Sequence, residues 1–369
     1  MTFLLKILKI RFYFKKPKKN KILIFDKESK KFANHLFEKN MCTVFDKRYE
    51  SINLFVLVCV ICEHGFKKIK DNYKIKFIEL VDPVIVYTAI DNDIIFYKLK
   101  NFFINKIFIA DQTSLKSEMF IKECEQYNRT SKSRLTIDHL FVFGQNEMDR
   151  YSKIIDAKIH ISGHTTNNAI GVKKIKNKKF SILFINSGIK KKKLFPLSVK
   201  IFDNLIKIAT KYNYNINFLE RPNETYITEY KKIFPSNNWN YLVSYSSKEK
   251  SSEKITRELI DEQDIIVFIS STLGFEAIAR SARVLKFSKS FYMLGESDDT
   301  LPSSYEKYKD IPFYSNRFEL KDVNLLFNKV KNYSDIQWGE ISKKFSNDLM
   351  VLDKDNMIKK KVIKEILTN

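Results

Sequence analysis

The sequence has little cysteine: four residues in 369, at positions 42, 59, 62 and 124. So few thiols exclude a disulfide scaffold in a chain of this length and fit a reducing compartment, so a cytoplasmic location is expected. Long apolar runs are also missing. The longest, residues 52–62, falls far short of the roughly 20 residues that a membrane span needs, and it is expected to be a core element. No segment repeats at a period of roughly 20 to 50 residues. Helix-turn-helix, zinc-finger and RNA-recognition signatures are missing, so no nucleic acid beyond a nucleotide is expected as a partner. Acidic residues are the scarcer charge, with 43 Asp and Glu against 66 Lys and Arg, for a formal +23. That excess suits an anionic membrane surface or a phosphorylated substrate, or it is a compositional bias of lysine scattered beside Ile, Asn and Phe.

Cys59 and Cys62 form a CxxC with His64 close behind, but no second ligand pair follows at zinc spacing. They read as buried structural thiols, and neither a metal nor a cofactor is expected. The opening MTFLLKILKIRFYFKKPKKNK is basic and amphipathic and has no small-residue cleavage site after its apolar part. Residues 1–20 are therefore expected either to form an interfacial helix, peripheral on an anionic inner membrane, or to be a mobile tail.

Short apolar strands alternate with helix-like segments along most of the chain. KILIF at 21–25, VIVYTAI at 84–90, NKIFIADQ at 105–112, HLFVFG at 139–144 and KIHISG at 158–163 form a first series. KKIKNKK then provides a charged linker, and the pattern restarts with KFSILFINSG at 179–188 and the amphipathic LSVKIFDNLIKIATKY. NINFLERP, NYLVSY, IIVFIS and RVLKFS complete the second series. Such alternation predicts an α/β fold of two doubly wound Rossmann-like domains, residues 21–170 and 178–337, facing across a cleft, with a helical tail over 338–369. This is the GT-B arrangement, in which function is sought beyond the carboxyl ends of the strands.

The strongest local signal is DIIVFISSTLGFEAIAR, a buried strand, a hydroxyl-rich turn and a helix. Ser270, Ser271 and Thr272 with the backbone at Gly274 form a natural phosphate cradle at a helix N-terminus, and Glu276 can accept from ribose hydroxyls. Alternatively Ser271 or Thr272 caps the helix and Glu276 completes the cap. Asn186, Ser187 and Gly188 end the first strand of the second half, ahead of the lysines at 190–193. Arg221 can grip a phosphate or pair with Glu220 or Glu224. Asp91, after VIVYTAI, is a candidate general base for an acceptor hydroxyl or a turn cap, with Asn92 orienting the same ligand. Asp91-Asn92-Asp93 also reads as the DxD by which another transferase fold holds a divalent ion. His164, in SGHTTNN, can serve a phosphate, a sugar carboxylate or an interdomain hydrogen bond. Because Glu276 is expected to face a cleft, its replacement by alanine is expected to spare the fold.

DIIVFISSTLGFEAIARSARVLKFS resembles the nucleotide-binding segment of bacterial surface carbohydrate (O-antigen and capsule) biosynthesis glycosyltransferases of GT-B type, and distantly that of transferases using CMP-activated Kdo or nonulosonic acids. VDPVIVYTAIDNDIIFYKL and DHLFVFGQNEMDRYSKIIDAKIHISGHTTNNA resemble segments of the first domain of that family, and DKRYESINLFVL its early motif, so the resemblance spans residues 42–290. It implies transfer of a sugar from a nucleotide-activated donor, such as a CMP-nonulosonate or similar CMP-sugar, to a surface glycan or lipid-linked glycan acceptor. The donor would bind the second domain and the acceptor the first. Two departures stand out: Asp111-Gln112-Thr113-Ser114 replaces a Gln-Asn-Gly turn, and Arg221-Pro222-Asn223-Glu224 lacks a phosphate-binding His. They leave open a polyol-phosphate transferase with a CDP-activated donor, and a non-catalytic glycan assembly protein.

Overall fold

A computed structural model describes residues 10–46, 51–66, 69–116, 118–131, 133–175, 178–186, 195–220, 226–235, 238–243, 252–287 and 311–368. In chain order its strands are β1 (Arg11–Tyr13), β2 (Ile22–Phe25), β3 (Cys42–Phe45), β4 (Ser51–Asn53), β5 (Ile85–Thr88), β6 (Ile107–Asp111), β7 (Thr136–Val142) and β8 (Asp156–Ile161). β9 (Ser181–Ile185), β10 (Asn215–Glu220), β11 (Asn240–Val243), β12 (Ile265–Phe268), β13 (Val284–Phe287) and β14 (Tyr314–Ser315) follow. They assemble into two parallel six-stranded sheets, β3-β2-β5-β6-β7-β8 and β11-β10-β9-β12-β13-β14, with β1 and β4 paired separately. β2, β5, β9, β12 and β13 are buried along their whole length, as continuous apolar runs require when helices cover both faces. The α/β architecture of two Rossmann-like domains is thus as the sequence predicts.

The second sheet runs 3-2-1-4-5-6 when its strands are numbered in order of appearance. In such a sheet the connections leave in opposite directions at one point, here between β9 and β12, and open a crevice at their carboxyl ends. Ile185 is paired with Phe268 across that junction, so Asn186 and the turn at Ser270 leave neighbouring strands side by side.

The helical tail divides between the two domains. Trp338, Phe345 and Leu349 of the Asp335–Leu349 helix join the core of the second domain. The chain then crosses back, and Ile363 of the Met357–Thr368 helix packs with Ile22, Ile24, Tyr87 and Phe141 of the first. This return is tightly fitted. Gly163, at φ +66, lies so near the carbonyl of Val351 that a Cβ would sit 2.1 Å from the oxygen, so both its conformation and its size are required.

Inside the first domain the returning helix delivers Lys359, which is fully buried with Asp111. Its ammonium donates to Asp111 Oδ1 at 2.7 Å, to the Gly163 carbonyl at 3.0 Å and to Thr165 Oγ1 at 2.6 Å, using all three hydrogens. Asp111 Oδ2 accepts from Tyr87 at 2.9 Å and from Thr165. Burial lowers the lysine pKa, and Asp111 opposes that shift. The departure at Asp111 is therefore accounted for by an internal partner.

Two expectations fail here. Residues 52–62 are not a buried core element: they begin with β4 and continue as the Leu54–His64 helix, in which only Val56 and Val60 are buried. Of the expected interfacial helix, residues 1–9 lie outside the described residues and Arg11–Tyr13 is a strand on Ser51–Asn53, as two aromatic residues in succession favour.

His139 and His160, on β7 and β8, stack with Nδ1 and Nε2 3.0 Å apart, near Asp138, Lys158 and Glu365. Burial first, then His139 and Lys158, push the His160 pKa down to about 4. The unfolded chain therefore takes up a proton between pH 6.5 and 4 that the folded chain refuses, and stability falls as pH drops through that window. Urea unfolding across it should be flattened by His160→Gln, by at most about 1.4 kcal/mol per pH unit and by less where water reaches the ring. Lys359→Ala, which leaves the Asp111 carboxylate buried and unpaired, should cost about 3–5 kcal/mol in the same measurement at neutral pH.

Candidate functional site

The turn after β12 folds as a cap. Ser271 is the N-cap of the Thr272–Ala279 helix, its Oγ accepting from Leu273 N at 3.3 Å. Gly274 lies against the ring of Phe268, where a Cβ would come within 2.3 Å, so its small size serves helix-to-strand packing. Ser270 and Thr272 are half-buried and flank that cap, after the strand β12 that neighbours β9. Capping and a phosphate cradle are compatible, because a cap satisfies one of the several unpaired amides of a helix N-terminus.

Glu276 and His164, singled out separately in the sequence, meet at the boundary of the two domains. His164 Nδ1 lies 3.2 Å from Glu276 Oε1 and 3.1 Å from Thr166 Oγ1. Arg257, absent from the sequence-derived set, binds the same carboxylate through Nε at 2.8 Å to Oε2 and Nη2 at 3.0 Å to Oε1, and donates to Thr166 Oγ1 at 3.0 Å. All three charged or titratable side chains are buried. Burial raises the Glu276 pKa and Arg257 counters it, while burial, aided by Arg257 and Lys359, holds His164 well below the usual histidine range and so neutral. Glu276 thus neither caps its helix nor lines an open cleft; it is half of a buried ion pair within the second domain, which His164 and Thr166 of the first domain meet. Arg257 left one trace in the sequence: Thr256, Arg257, Ile260 and Asp261 are buried on one face of the Ser252–Asp261 helix, where polar residues interrupt the expected apolar stripe.

A second clamp lies beside the first. Arg280 binds Asp261 through Nε at 2.8 Å and Nη2 at 2.5 Å, and its Nη1 and Nη2 also reach the carbonyls of Ile170 at 2.9 Å and Gly171 at 3.1 Å. Spacing alone would have paired it with Glu276, four residues earlier.

At the carboxyl ends of the first sheet the polar residues are joined to one another. Asp91 is fully buried, with Lys116 Nζ 2.8 Å from Oδ1 at an angle that makes an ion pair, and Tyr151 donating to Oδ2. The expected role of Asp91 as general base is corrected accordingly: a base must reach the proton it removes, and this carboxylate is enclosed and neutralised. Asp93 caps the Ile94–Leu99 helix through Ile95 N at 3.2 Å, so the DxD is a buried pair and a cap. Asn92 is exposed. Gln112 accepts from Phe143 N at 2.9 Å and contacts Glu147, which Arg150 binds at 2.7 Å.

Asn186 is buried at the end of β9, its side chain 3.4 Å from Glu220 Oε1 and from Ser198 Oγ. Ser187, Gly188, the lysines at 190–193, Arg221, Asn223 and Glu224 lie outside the described residues.

Because Glu276 is bound by Arg257 rather than by solvent, Glu276→Ala should cost about 3–5 kcal/mol by leaving a buried guanidinium unpaired, contrary to the sequence expectation. Arg257→Ala should cost a similar amount, and the double variant less than the sum, when all are compared by chemical denaturation.

Residues 218–367 match a family model described as "putative O-antigen biosynthesis protein". Among curated proteins, none matches the chain. Three solved structures share the fold over nearly the whole chain. The UDP-GlcNAc 2-epimerase from Neisseria meningitidis, bound to UDP-GlcNAc, has a TM-score of 0.54 at 14% identity, covering 94% of this chain and 99% of that one. MurG of Acinetobacter baumannii has a TM-score of 0.53 at 10% identity, with coverages of 94% and 99%. Anabaena Alr3699/HepE, in complex with UDP and glucose, has a TM-score of 0.53 at 10% identity, with coverages of 95% and 100%. At these identities the likeness concerns architecture: the chain has the GT-B fold of two Rossmann-like domains.

Proposed function

We propose that the chain is a glycosyltransferase that moves a sugar from a nucleotide-activated donor to a surface glycan acceptor, carried on a lipid at an anionic inner membrane. The observation that carries this reading is the position of Ser270, Ser271 and Thr272 at the switch point of a 3-2-1-4-5-6 sheet, where a helix N-terminus opens beside the end of β9. The O-antigen description of the matching family supports a glycan product, and the UDP bound in two architectural neighbours supports a nucleotide-sugar donor.

Residues 178–337 would hold the donor and 21–170 the acceptor. The hydroxyl turn would bind phosphate, with Asn186, Ser187, Gly188 and Arg221 as further donor-binding residues. Glu276, buried against Arg257 and His164, would brace the domain boundary beside that turn rather than take the ribose hydroxyls. Placing phosphate donors where negative charge develops on the leaving group would lower the barrier. A uridine diphosphate sugar is the better supported donor; a CMP-sugar such as a CMP-nonulosonate, to whose transferases the motif bears a distant resemblance, needs one phosphate fewer from the same turn.

A second reading is favoured by the epimerase among the architectural neighbours: a nucleotide-sugar epimerase acting without an acceptor. Incubation with UDP-GlcNAc alone separates the two, since an epimerase releases a C2 epimer and a transferase returns the sugar unchanged. For the donor site itself, UDP, CMP or one of their sugars at about ten times its Kd should stabilise the protein by about 1.4 kcal/mol, a few degrees in Tm. Thr272→Val should remove much of that shift while leaving the unliganded Tm in place. If no such nucleotide moves the Tm, the donor assignment fails.

A further inference from the structure

A surface helix normally turns charge to water. The Leu54–His64 helix does the opposite: it carries no charged residue from Leu54 to Cys62, yet buries only two of its eleven side chains. Phe55, Val58 and Cys62 recur at helical spacing on one side, and Phe66 follows Gly65, which ends the helix; Val58 is 49% and Phe66 78% exposed. Beside it runs β1, whose Phe12 and Tyr13, with the following Phe14, are 57%, 41% and 68% exposed. The Phe14 ring meets Phe55 edge-on at 6.0 Å, which joins strand and helix into one apolar face. Asn53 anchors the strand's exit to the helix start, donating to the Lys15 carbonyl at 2.7 Å while its Oδ1 caps the helix.

Exposed cations border these aromatic residues. Arg11 precedes them, and Lys15, Lys16 and Lys18 follow. We propose that this face, β1 with the outer side of the Leu54–His64 helix, docks on an anionic lipid bilayer. Aromatic rings lie at headgroup depth, aliphatic side chains enter the acyl boundary, and lysines and arginine meet lipid phosphates, each cation strengthening binding about fivefold. No described helix is long and apolar enough to cross a membrane, so the contact is interfacial. A second copy of the chain is a poorer occupant, because two such faces would bring their cations together. The face is separate from the donor turn, and the inference does not rest on the transferase reading.

The test is co-sedimentation of the full chain with vesicles of phosphatidylcholine, alone or mixed with phosphatidylglycerol. Binding is expected only to the anionic vesicles. Lys15→Glu with Lys16→Glu should weaken it at least tenfold, and Phe12→Ser with Phe14→Ser should do so independently, both with unchanged Tm because the side chains are exposed. Deletion of residues 2–9 should leave binding in place. The proposal is overturned if anionic vesicles are not bound, if both pairs of substitutions leave binding unaltered, or if only the deletion removes it. It is also overturned if the protein forms a dimer that Phe12→Ser with Phe14→Ser dissociates and no vesicle binding is seen. An unaltered nucleotide-induced Tm shift in these variants keeps this outcome distinct from that of the donor site.

Discussion

The buried ammonium of Lys359 fixes how the end of the chain returns to its beginning. A lysine with no exposure is tolerated only when every hydrogen finds an acceptor, and Asp111, Gly163 and Thr165 supply one each. A helix held by apolar contacts alone could slide or rotate by a turn with little change in buried area. With a charge inside, any shifted position leaves both ions unpaired in a dry environment, so one docking register is selected. The tip of β6, the Thr165–Asn168 turn and the last helix are consequently fixed relative to one another. His164 stands next to that anchor, and through it the contact with Glu276 and Arg257 of the second domain is placed.

Paired charges recur at or beyond the ends of β5, β6 and β7. Asp91 with Lys116 and Tyr151, and Glu147 with Arg150 and Gln112, turn what would be exposed polar loops into a braced inner layer. Such pairs give little net stability over apolar packing but leave few alternative arrangements. The second domain is built differently at its switch point, where the half-buried Ser270 and Thr272 flank a helix N-terminus.

Much of this was legible in the sequence, and the failures share a cause. Strands buried on both faces announce themselves as short apolar runs, which is why β5, β6, β9, β10 and β12 fall where expected. Residues 52–62 show the weakness of the same signal, because apolarity reports what a residue can bury and not whether the fold covers it. Lys359, one of three consecutive lysines, carries no local mark of its burial, since its partner lies 248 positions away in sequence. The sequence allows Ser271 two roles, and its capping bond is the one seen locally. Asp91 shows why strand-end position alone does not identify a base: the residues that enclose it, Lys116 and Tyr151, lie in other segments.

The two passages of chain between the domains run side by side. Asn168 donates to Asn356 at 3.1 Å and accepts from Asp353 N at 3.1 Å, and Asn356 donates to the Thr165 carbonyl at 3.0 Å. Arg280 holds the first passage to the second domain, and Lys359 holds the second passage to the first domain. Two adjacent tethers, each secured at its far end, define a line, as the knuckles of a door hinge do. Sliding and twisting of one domain on the other would stretch one tether or the other, whereas swinging about the line stretches neither. The two crossings therefore resist sliding and twisting of one domain on the other, and they add a directional restraint to the apolar contact that Phe143 makes with the second domain's core.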